Sequence, residues 1–141
     1  MTNDYTNISA LNGLEEHGFC SRTYFDASLF SNERINAIRE IIRLFFYPIK
    51  NVSYMEHAHS YRLKHIIERY AYATNHPLLG NYITNGECIY AMYLEGYKVR
   101  RAGDGKNAHF NVSKRSVEDL LRYLGGLIDD NDSQKYRNRK P

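Results

Sequence analysis

The feature that most constrains the fold is a change of hydrophobic period at Gly96. Before this glycine, apolar residues recur at the three- and four-residue spacing of amphipathic helices. After it they alternate with polar residues, as in half-buried strands. The turn Gly103-Asp104-Gly105 separates two such alternating runs. The sequence therefore predicts helices followed by a β-hairpin, which is a mainly helical α+β fold.

Capping signals place three helices before this hairpin and one after it. The first begins at Ser31 and ends before Pro48, the second begins with a capping box at 53–56, and the third begins with a capping box at 84–87. A closing helix is predicted near 116–128. The residues expected to meet in one core are Ile38, Ile42, Leu63, Ile67, Ile89, Met92, Phe110, Leu120 and Leu124.

The chain has 141 residues, the size of one domain. We divide it into an N-terminal arm (1–30), a winged-helix-like domain (31–128) and a disordered basic tail (129–141). The arm is assigned because residues 1–30 show no sustained period and are punctuated by glycine and asparagine. The tail is assigned because residues 134–141 hold four bases and no apolar anchor.

No segment of the sequence indicates secretion or insertion into a membrane. The longest apolar run, 44–47, is far shorter than the roughly 20 residues that span a bilayer. Residues 1–11 lack the basic cluster and apolar centre of a signal peptide. Two cysteines, Cys20 and Cys88, do not make a disulfide framework. We expect a cytoplasmic protein with free thiols and no membrane partner.

The element order helix, helix, short turn, helix, hairpin resembles that of a winged-helix domain, a helix-turn-helix variant, over residues 53–113. This resemblance implies that the third helix enters the major groove of DNA and that the hairpin, the wing, lies on phosphates. Three further segments are similar to small proteins of phages and other mobile elements, a likeness that implies no activity. They are Ser60-Tyr61-Arg62-Leu63-Lys64-His65, Tyr82-Ile83-Thr84-Asn85-Gly86-Glu87 and Asn111-Val112-Ser113.

The placement of charge favours a polyanionic partner. Residues 1–33 carry five acids and one arginine, whereas residues 97–115 carry six bases and one acid, Asp104. Unopposed positive charge of this kind supplies affinity for phosphates. We predict a nucleic-acid-binding protein, with DNA as the first candidate. The predicted contacts are Lys98, Arg100, Arg101, Lys106, Lys114 and Arg115 on phosphates, and Asn85, Tyr90 and Tyr93 near bases.

Each of these assignments has a plain structural alternative. Basic residues are common on the solvent face of any hairpin, and Asn85 is also a residue that helps cap a helix. Tyr90 and Tyr93, which lie on one stripe of the third helix (the tyrosine stripe), are also suited to core packing. Tyr is enriched at protein interfaces as well, and the chain has 13 tyrosines. The second hypothesis is therefore a phage-encoded, anti-CRISPR-like inhibitor that binds a host defence nuclease through a Tyr-rich surface. A homodimer is compatible with both hypotheses.

No motif indicates an enzyme, a metal site or a cofactor. His57, His59 and His65, with His76 downstream, are the cluster with metal-ligating side chains, but His57 and His59 would stand about 200° apart on a helix. No histidine and carboxylate can be placed beside Cys20 to activate it. The glycines at 103–105 are not followed by the lysine of a phosphate-binding loop. We expect a non-enzymatic protein without cofactor or metal.

Overall fold

The computed structural model describes the backbone of residues 7–137 and the side chains of residues 7–126. The described chain forms four helices and two small antiparallel hairpins, which confirms the predicted α+β class. In chain order the elements are β1 (Leu14–Glu15), β2 (Gly18–Phe19), α1 (Asn32–Phe45), α2 (Ser60–Ala73), α3 (Asn85–Leu94), β3 (Val99–Arg101), β4 (Ala108–Phe110) and α4 (Lys114–Arg137). Short 3-10 turns occur at Ile8–Leu11, Ala27–Leu29 and Glu56–Ala58.

Helix α1 begins where the sequence predicts. The Ser31 hydroxyl accepts the amide of Arg34 at 3.4 Å and so caps the helix. The apolar stripe of α1 is buried, and the helix packs against α3. Towards its other end, Arg39 and Arg43 donate to the carboxylate of Glu95, just beyond α3, at 2.6 and 2.9 Å. These ion pairs help to hold α1 alongside α3.

The capping box predicted at 53–56 is wrong. The amide of Ser53 donates to the carbonyl of Phe110 at 3.1 Å, so the backbone of Ser53 is bonded to the end of β4. Helix α2 begins only at Ser60, and the ring of His59 caps it by accepting a backbone amide. Pairing with a distant strand overrides the local capping signal here, because it satisfies backbone groups that would otherwise need another partner.

Helix α3 lies at the centre of the molecule. Its capping box is confirmed: Thr84 accepts the amide of Glu87 at 3.0 Å, and the Glu87 carboxylate accepts the amide of Thr84 at 2.8 Å. Gly96, with φ of 90°, ends the helix in a Schellman motif. The buried residues of the helix are Asn85, Gly86, Glu87, Cys88, Ile89, Ala91 and Met92. Burial on so many sides leaves little of α3 for contact with a ligand.

Strands β3 and β4 form the predicted hairpin, with Val99 opposite Phe110 and Arg101 opposite Ala108. The chain after β4 continues this pairing through a bridge to Pro48. All nine residues of the predicted core are at most 1% exposed and belong to one cluster, so that prediction is confirmed. The hairpin therefore covers the helical core with its apolar side.

The described part of the predicted N-terminal arm, residues 7–30, contributes buried side chains to the core. Leu11, Leu14 and Phe19 are each at most 3% exposed, and β1 pairs with β2 in a hairpin that packs on α3. Strands of two residues are too short to produce a period that a sequence pattern reveals. Residues 1–6 lie outside the described residues.

Helix α4 is longer than predicted, because it begins at Lys114 and runs to Arg137 rather than ending near 128. The helical backbone of α4 continues through residues 129–137, and the disordered tail at 129–141 stays a prediction. After Gly126 no glycine or proline interrupts the chain before Pro141, and charged and polar residues are compatible with a helix. Residues 138–141 lie outside the described residues.

Candidate functional site

The structure divides the six predicted phosphate-binding residues among three places. Arg101 and Lys106 lie on the side of the β1–β2 hairpin. The Arg101 guanidinium stacks 4.2 Å from the centroid of the Phe19 ring and donates to the carbonyl of Asn12. The amide of Phe19 donates to the carbonyl of Lys106 at 2.9 Å. Arg101 therefore has a structural role, because it holds the N-terminal segment on the hairpin.

Lys98 and Arg100 lie on the opposite face of the hairpin, since side chains alternate along a strand. The Lys98 ammonium donates to the carbonyl of Lys50 at 2.8 Å. Arg100 is half-buried and stands opposite His109 in the β3–β4 register. The predicted wing is thus basic on both faces rather than on one.

Lys114 and Arg115 occupy the third place, the exposed first turn of α4. A positive charge at a helix N-terminus is unfavourable for the helix dipole. Within residues 7–126, no carboxylate forms an ion pair with Lys98, Arg101, Lys106, Lys114 or Arg115. These five bases keep their charge uncompensated, which is compatible with phosphate contacts, but they do not form one patch on one face.

Asn85 does not reach a position from which it could contact a base. It is 6% exposed, and its side-chain amide donates to Asn107 at 2.8 Å. Asn107 also bonds the hydroxyl of Ser60, which in turn accepts the amide of Ala108 at 3.0 Å. Asn85 therefore links the start of α3 to the hairpin, and its predicted role in base recognition is not supported by this geometry.

The predicted tyrosine stripe of α3 also packs against other residues of the domain. The Tyr90 ring packs against Phe25 and Phe30, with centroid distances of 4.9 and 5.3 Å. Tyr93 is half-buried against the core, and Tyr97 is buried. The core-packing alternative holds for these residues, so α3 presents no open row of rings on which unpaired bases could stack.

Sequence reasoning missed an open groove of about 410 Å³ between the start of α1 and the start of α3. We call it the Leu29–Tyr82 groove. Its lining residues are Glu16, Leu29, Phe30, Ser31, Arg34, Leu79, Tyr82, Thr84 and Glu87. Leu29 and Tyr82 are 56% and 49% exposed, although both side chains are large and mostly apolar. The volume falls at the lower end of the range for ligand sites, about 300–1,000 Å³.

A repeated sequence pattern builds the two apolar walls of this groove. Leu29-Phe30 precedes the N-cap of α1, and Tyr82-Ile83 precedes the N-cap of α3. In each pair the residue next to the cap is buried and the residue before it is exposed. This pattern, two apolar residues directly before a cap, is the signal in the sequence that could have located the groove.

The floor of the groove is an ion pair between Arg34 and Glu87. The two groups form two hydrogen bonds, at 2.7 and 3.1 Å, and the Glu87 side chain is 8% exposed. Bonding to Glu87 raises the pKa of Arg34. Arg34 also donates to the carbonyls of Leu78 and Tyr82 at 3.3 and 2.8 Å. It thus holds the loop before α3 against α1.

A second shielded ion pair supports the same loop from the other side. Lys64 donates to Glu68 at 2.7 Å, and Glu68 accepts the amide of Ile83 at 3.0 Å. The Lys64 ammonium lies 5.1 Å from the ring centroid of Tyr82 and 5.9 Å from that of Tyr61. Tyr61 is half-exposed, so it extends the aromatic surface from the groove onto α2.

A histidine cluster lies where the start of α2 meets the β3–β4 hairpin. His59 bonds Asp104 at 3.2 Å, and its ring meets that of His109 with a centroid distance of 5.0 Å. Hydrogen bonds from Asn107, with a smaller contribution from His59, lower the pKa of Asp104 to about 2, while burial lowers the pKa of His109. Among the described residues, no group of three or more His, Cys, Asp or Glu is arranged to hold a metal ion.

The environments of the two thiols do not favour the reactive thiolate. Burial raises the pKa of the Cys88 thiol to about 12. Cys20 is exposed, and desolvation together with Glu15 raises its pKa as well. Since the thiolate is the nucleophile, neither environment resembles that of an activated cysteine.

Comparison with protein-family models, with curated proteins and with solved structures gives no match for this chain. In the part of the chain that the structure describes, no helix combines the length and the apolar character needed to cross a bilayer. The winged-helix and phage resemblances of the sequence stay predictions.

Proposed function

We propose that this protein is a protein-binding module that docks a partner in the Leu29–Tyr82 groove. The observation that carries the proposal is the exposure of Leu29 and Tyr82 in the lining of one concavity, with the Lys64 ammonium near the rings of both Tyr82 and Tyr61. Interfaces are enriched in aromatic side chains, and their strongest contacts lie where such side chains enter pockets. Inhibition of a host nuclease is one function that such a module would serve.

The position of the polar groups supports a protein partner over a nucleic acid at this site. The groove is lined by two carboxylates, Glu16 and Glu87, and by one base, Arg34, which Glu87 already neutralises. Phosphate binding depends on a surplus of positive charge. A polynucleotide would therefore be repelled here, whereas an apolar side chain of a protein would be accommodated.

The test is co-purification of partners with an affinity-tagged chain, followed by direct binding measurements with the partner identified. Leu29→Asp and Tyr82→Ala should each weaken binding, because both remove apolar area from the groove. Leu44→Asp is the matched control: Leu44 is 70% exposed and lies ten residues, about 15 Å, along α1 from Arg34. A partner that binds Leu29→Asp as tightly as the unmodified chain would contradict the proposal.

Nucleic-acid binding is the second candidate, favoured by the uncompensated bases of the hairpin and of α4. A salt titration with duplex and single-stranded oligonucleotides tests it. If Lys114 and Arg115 contact phosphates, replacing both with Gln should reduce the slope of log affinity against log salt by about 1.4–1.8, or 0.7–0.9 for each contact. An unmodified chain that binds no oligonucleotide at low salt would exclude this candidate.

A further inference from the structure

We infer that the Leu29–Tyr82 groove receives a basic segment of a partner protein that carries one large apolar side chain. This inference rests on the proposed function and names the chemistry of its partner. It follows from three features of the groove, namely its charge, its remaining hydrogen-bonding capacity and its apolar walls.

The first feature is the negative charge around the groove. Glu16 lines it, with a side chain that is 66% exposed. Asp26, which caps the 3-10 turn that contains Leu29, and Glu33, in the first turn of α1, are also exposed. Residues 7–33 carry four acids and one arginine, Arg22. A partner with Lys or Arg side chains complements this charge, and an acidic partner is repelled.

The second feature is the lack of an unpaired cation for an anionic ligand, because the base among the lining residues, Arg34, is bonded to Glu87. The Arg34 guanidinium donates hydrogen bonds to Glu87 and to two backbone carbonyls of the loop before α3. The hydroxyls of Ser31 and Thr84 cap their helices by accepting backbone amides, and they carry no charge to attract an anion. The carboxylate of Glu16, by contrast, is an exposed acceptor. The groove is thus suited to ligands that donate hydrogen bonds, as ammonium and guanidinium groups do.

The third feature is the pair of apolar walls. Leu29 and Phe30 form one wall, and Leu79 and Tyr82 form the other. A space of about 410 Å³ accommodates a few side chains rather than a whole helix. One Leu or Phe between the walls would bury the exposed parts of Leu29 and Tyr82. The Lys or Arg side chains on either side of it in the partner would then lie close to the exposed acids around the groove.

The experiment uses three labelled hexapeptides with the full chain. They are Lys-Arg-Leu-Gly-Lys-Arg, the acidic counterpart Glu-Glu-Leu-Gly-Glu-Glu, and Lys-Arg-Gly-Gly-Lys-Arg, which lacks the apolar anchor. Fluorescence polarisation should show that the first binds at least about tenfold more tightly than either of the others, since several rim charges and an apolar anchor each contribute modestly. Amide chemical-shift changes should map to residues around Leu29 and Tyr82 and not to Leu44.

Charge variants test whether Glu16 contributes to peptide binding. Glu16→Lys should weaken binding of the first peptide several-fold, and Glu118→Lys, a change at an exposed acid on α4, should leave it unchanged. Both positions are solvent-exposed, and a thermal melt checks that each variant folds. Equal affinity for basic and acidic peptides, or shift changes centred on α4, would overturn the inference.

The outcomes separate this inference from the proposed function. If Leu29→Asp abolishes capture of a protein partner while the peptides show no preference for basic charge, the docking function stands and the inference about the partner fails. If Leu29→Asp has no effect on capture, the function fails as well. Self-association in sedimentation experiments that Leu29→Asp abolishes would identify the occupant as a second copy, which also overturns the inference.

Discussion

Gly86 offers a sharp test of how the N-terminal hairpin is held on α3. It is the second residue of the helix, and its amide donates to the carbonyl of Glu16 at 2.8 Å. A Cβ atom at this position would lie 2.0 Å from the carbonyl oxygen of Glu15 and 2.7 Å from that of Glu16. Backbone atoms cannot rotate away as a side chain can, so Gly86→Ala must displace the hairpin from the helix.

The magnitude follows from three opposing contributions. Alanine stabilises a helix interior by about 1 kcal/mol relative to glycine. Losing the hydrogen bond to Glu16 costs about 1 kcal/mol. Forcing a methyl group into an occupied space costs about 1–3 kcal/mol. The net expectation for Gly86→Ala is a destabilisation of about 1–3 kcal/mol, although helix propensity alone predicts the opposite sign.

Urea unfolding of the unmodified chain, Gly86→Ala and Gly125→Ala measures this expectation. Gly125 is the matched control, because it lies inside α4 and a Cβ there would meet nothing within 4 Å. Gly125→Ala should be neutral or stabilising by up to about 1 kcal/mol. The hairpin also carries Glu16, so Gly86→Ala should weaken peptide binding in the Leu29–Tyr82 groove. A Gly86→Ala chain as stable as Gly125→Ala would refute the close approach of hairpin and helix.

Three further predictions concern the thiols, acid stability and the groove floor. Under native conditions a thiol reagent should modify only Cys20, and the buried Cys88 should react only after unfolding, which mass spectrometry can count. Bonding to Arg43 lowers the pKa of Glu95 in the folded chain. The stability that this carboxylate contributes is therefore fully present above its usual pKa of about 4.5. It is lost as the pH falls through the lower pKa of the folded state. Unfolding measured against pH should therefore show a weaker decline below pH 4.5 in Glu95→Gln, and an identical decline would contradict the ion-pair geometry. Arg34→Lys keeps the positive charge, but a lysine ammonium cannot replace the planar set of donors of the guanidinium. This change should therefore weaken binding in the groove. An unchanged affinity would show that the Arg34–Glu87 pair does not position the groove walls.

The helices that the sequence predicts correctly are those whose capping groups lie close together in the chain. Ser31 caps with the amide three residues on, and the box at 84–87 is likewise contained in four residues. The signal at 53–56 is of the same kind but fails, because Ser53 pairs with Phe110, 57 residues away. A local pattern cannot report a competing partner at that distance. The hairpin after Gly96 was predictable because its two strands are neighbours in the chain.

The candidate site was less predictable, because it depends on which sides of α3 are covered. Residues 88–94 are all apolar or aromatic and so place such side chains on every side of that helix, a pattern typical of a buried helix. Interpreting α3 as a recognition helix required an open face at Asn85, and the β1–β2 hairpin occupies that side. Because strands of two residues leave no period, the covering element could not be predicted from the sequence.

The position of the groove follows from the same packing that buries α3. The start of α3 is covered on one side by the β1–β2 hairpin and on another by α1, and the Leu29–Tyr82 groove is the space left between these elements and the loop before α3. Its walls come from chain segments about 50 residues apart, and the Arg34–Glu87 pair joins them across a sequence separation of 53. The groove therefore exists only when α1 and α3 are packed together. A partner that fills it would bind the folded chain and not the unfolded one, so such a partner would also stabilise the packing of α1 on α3.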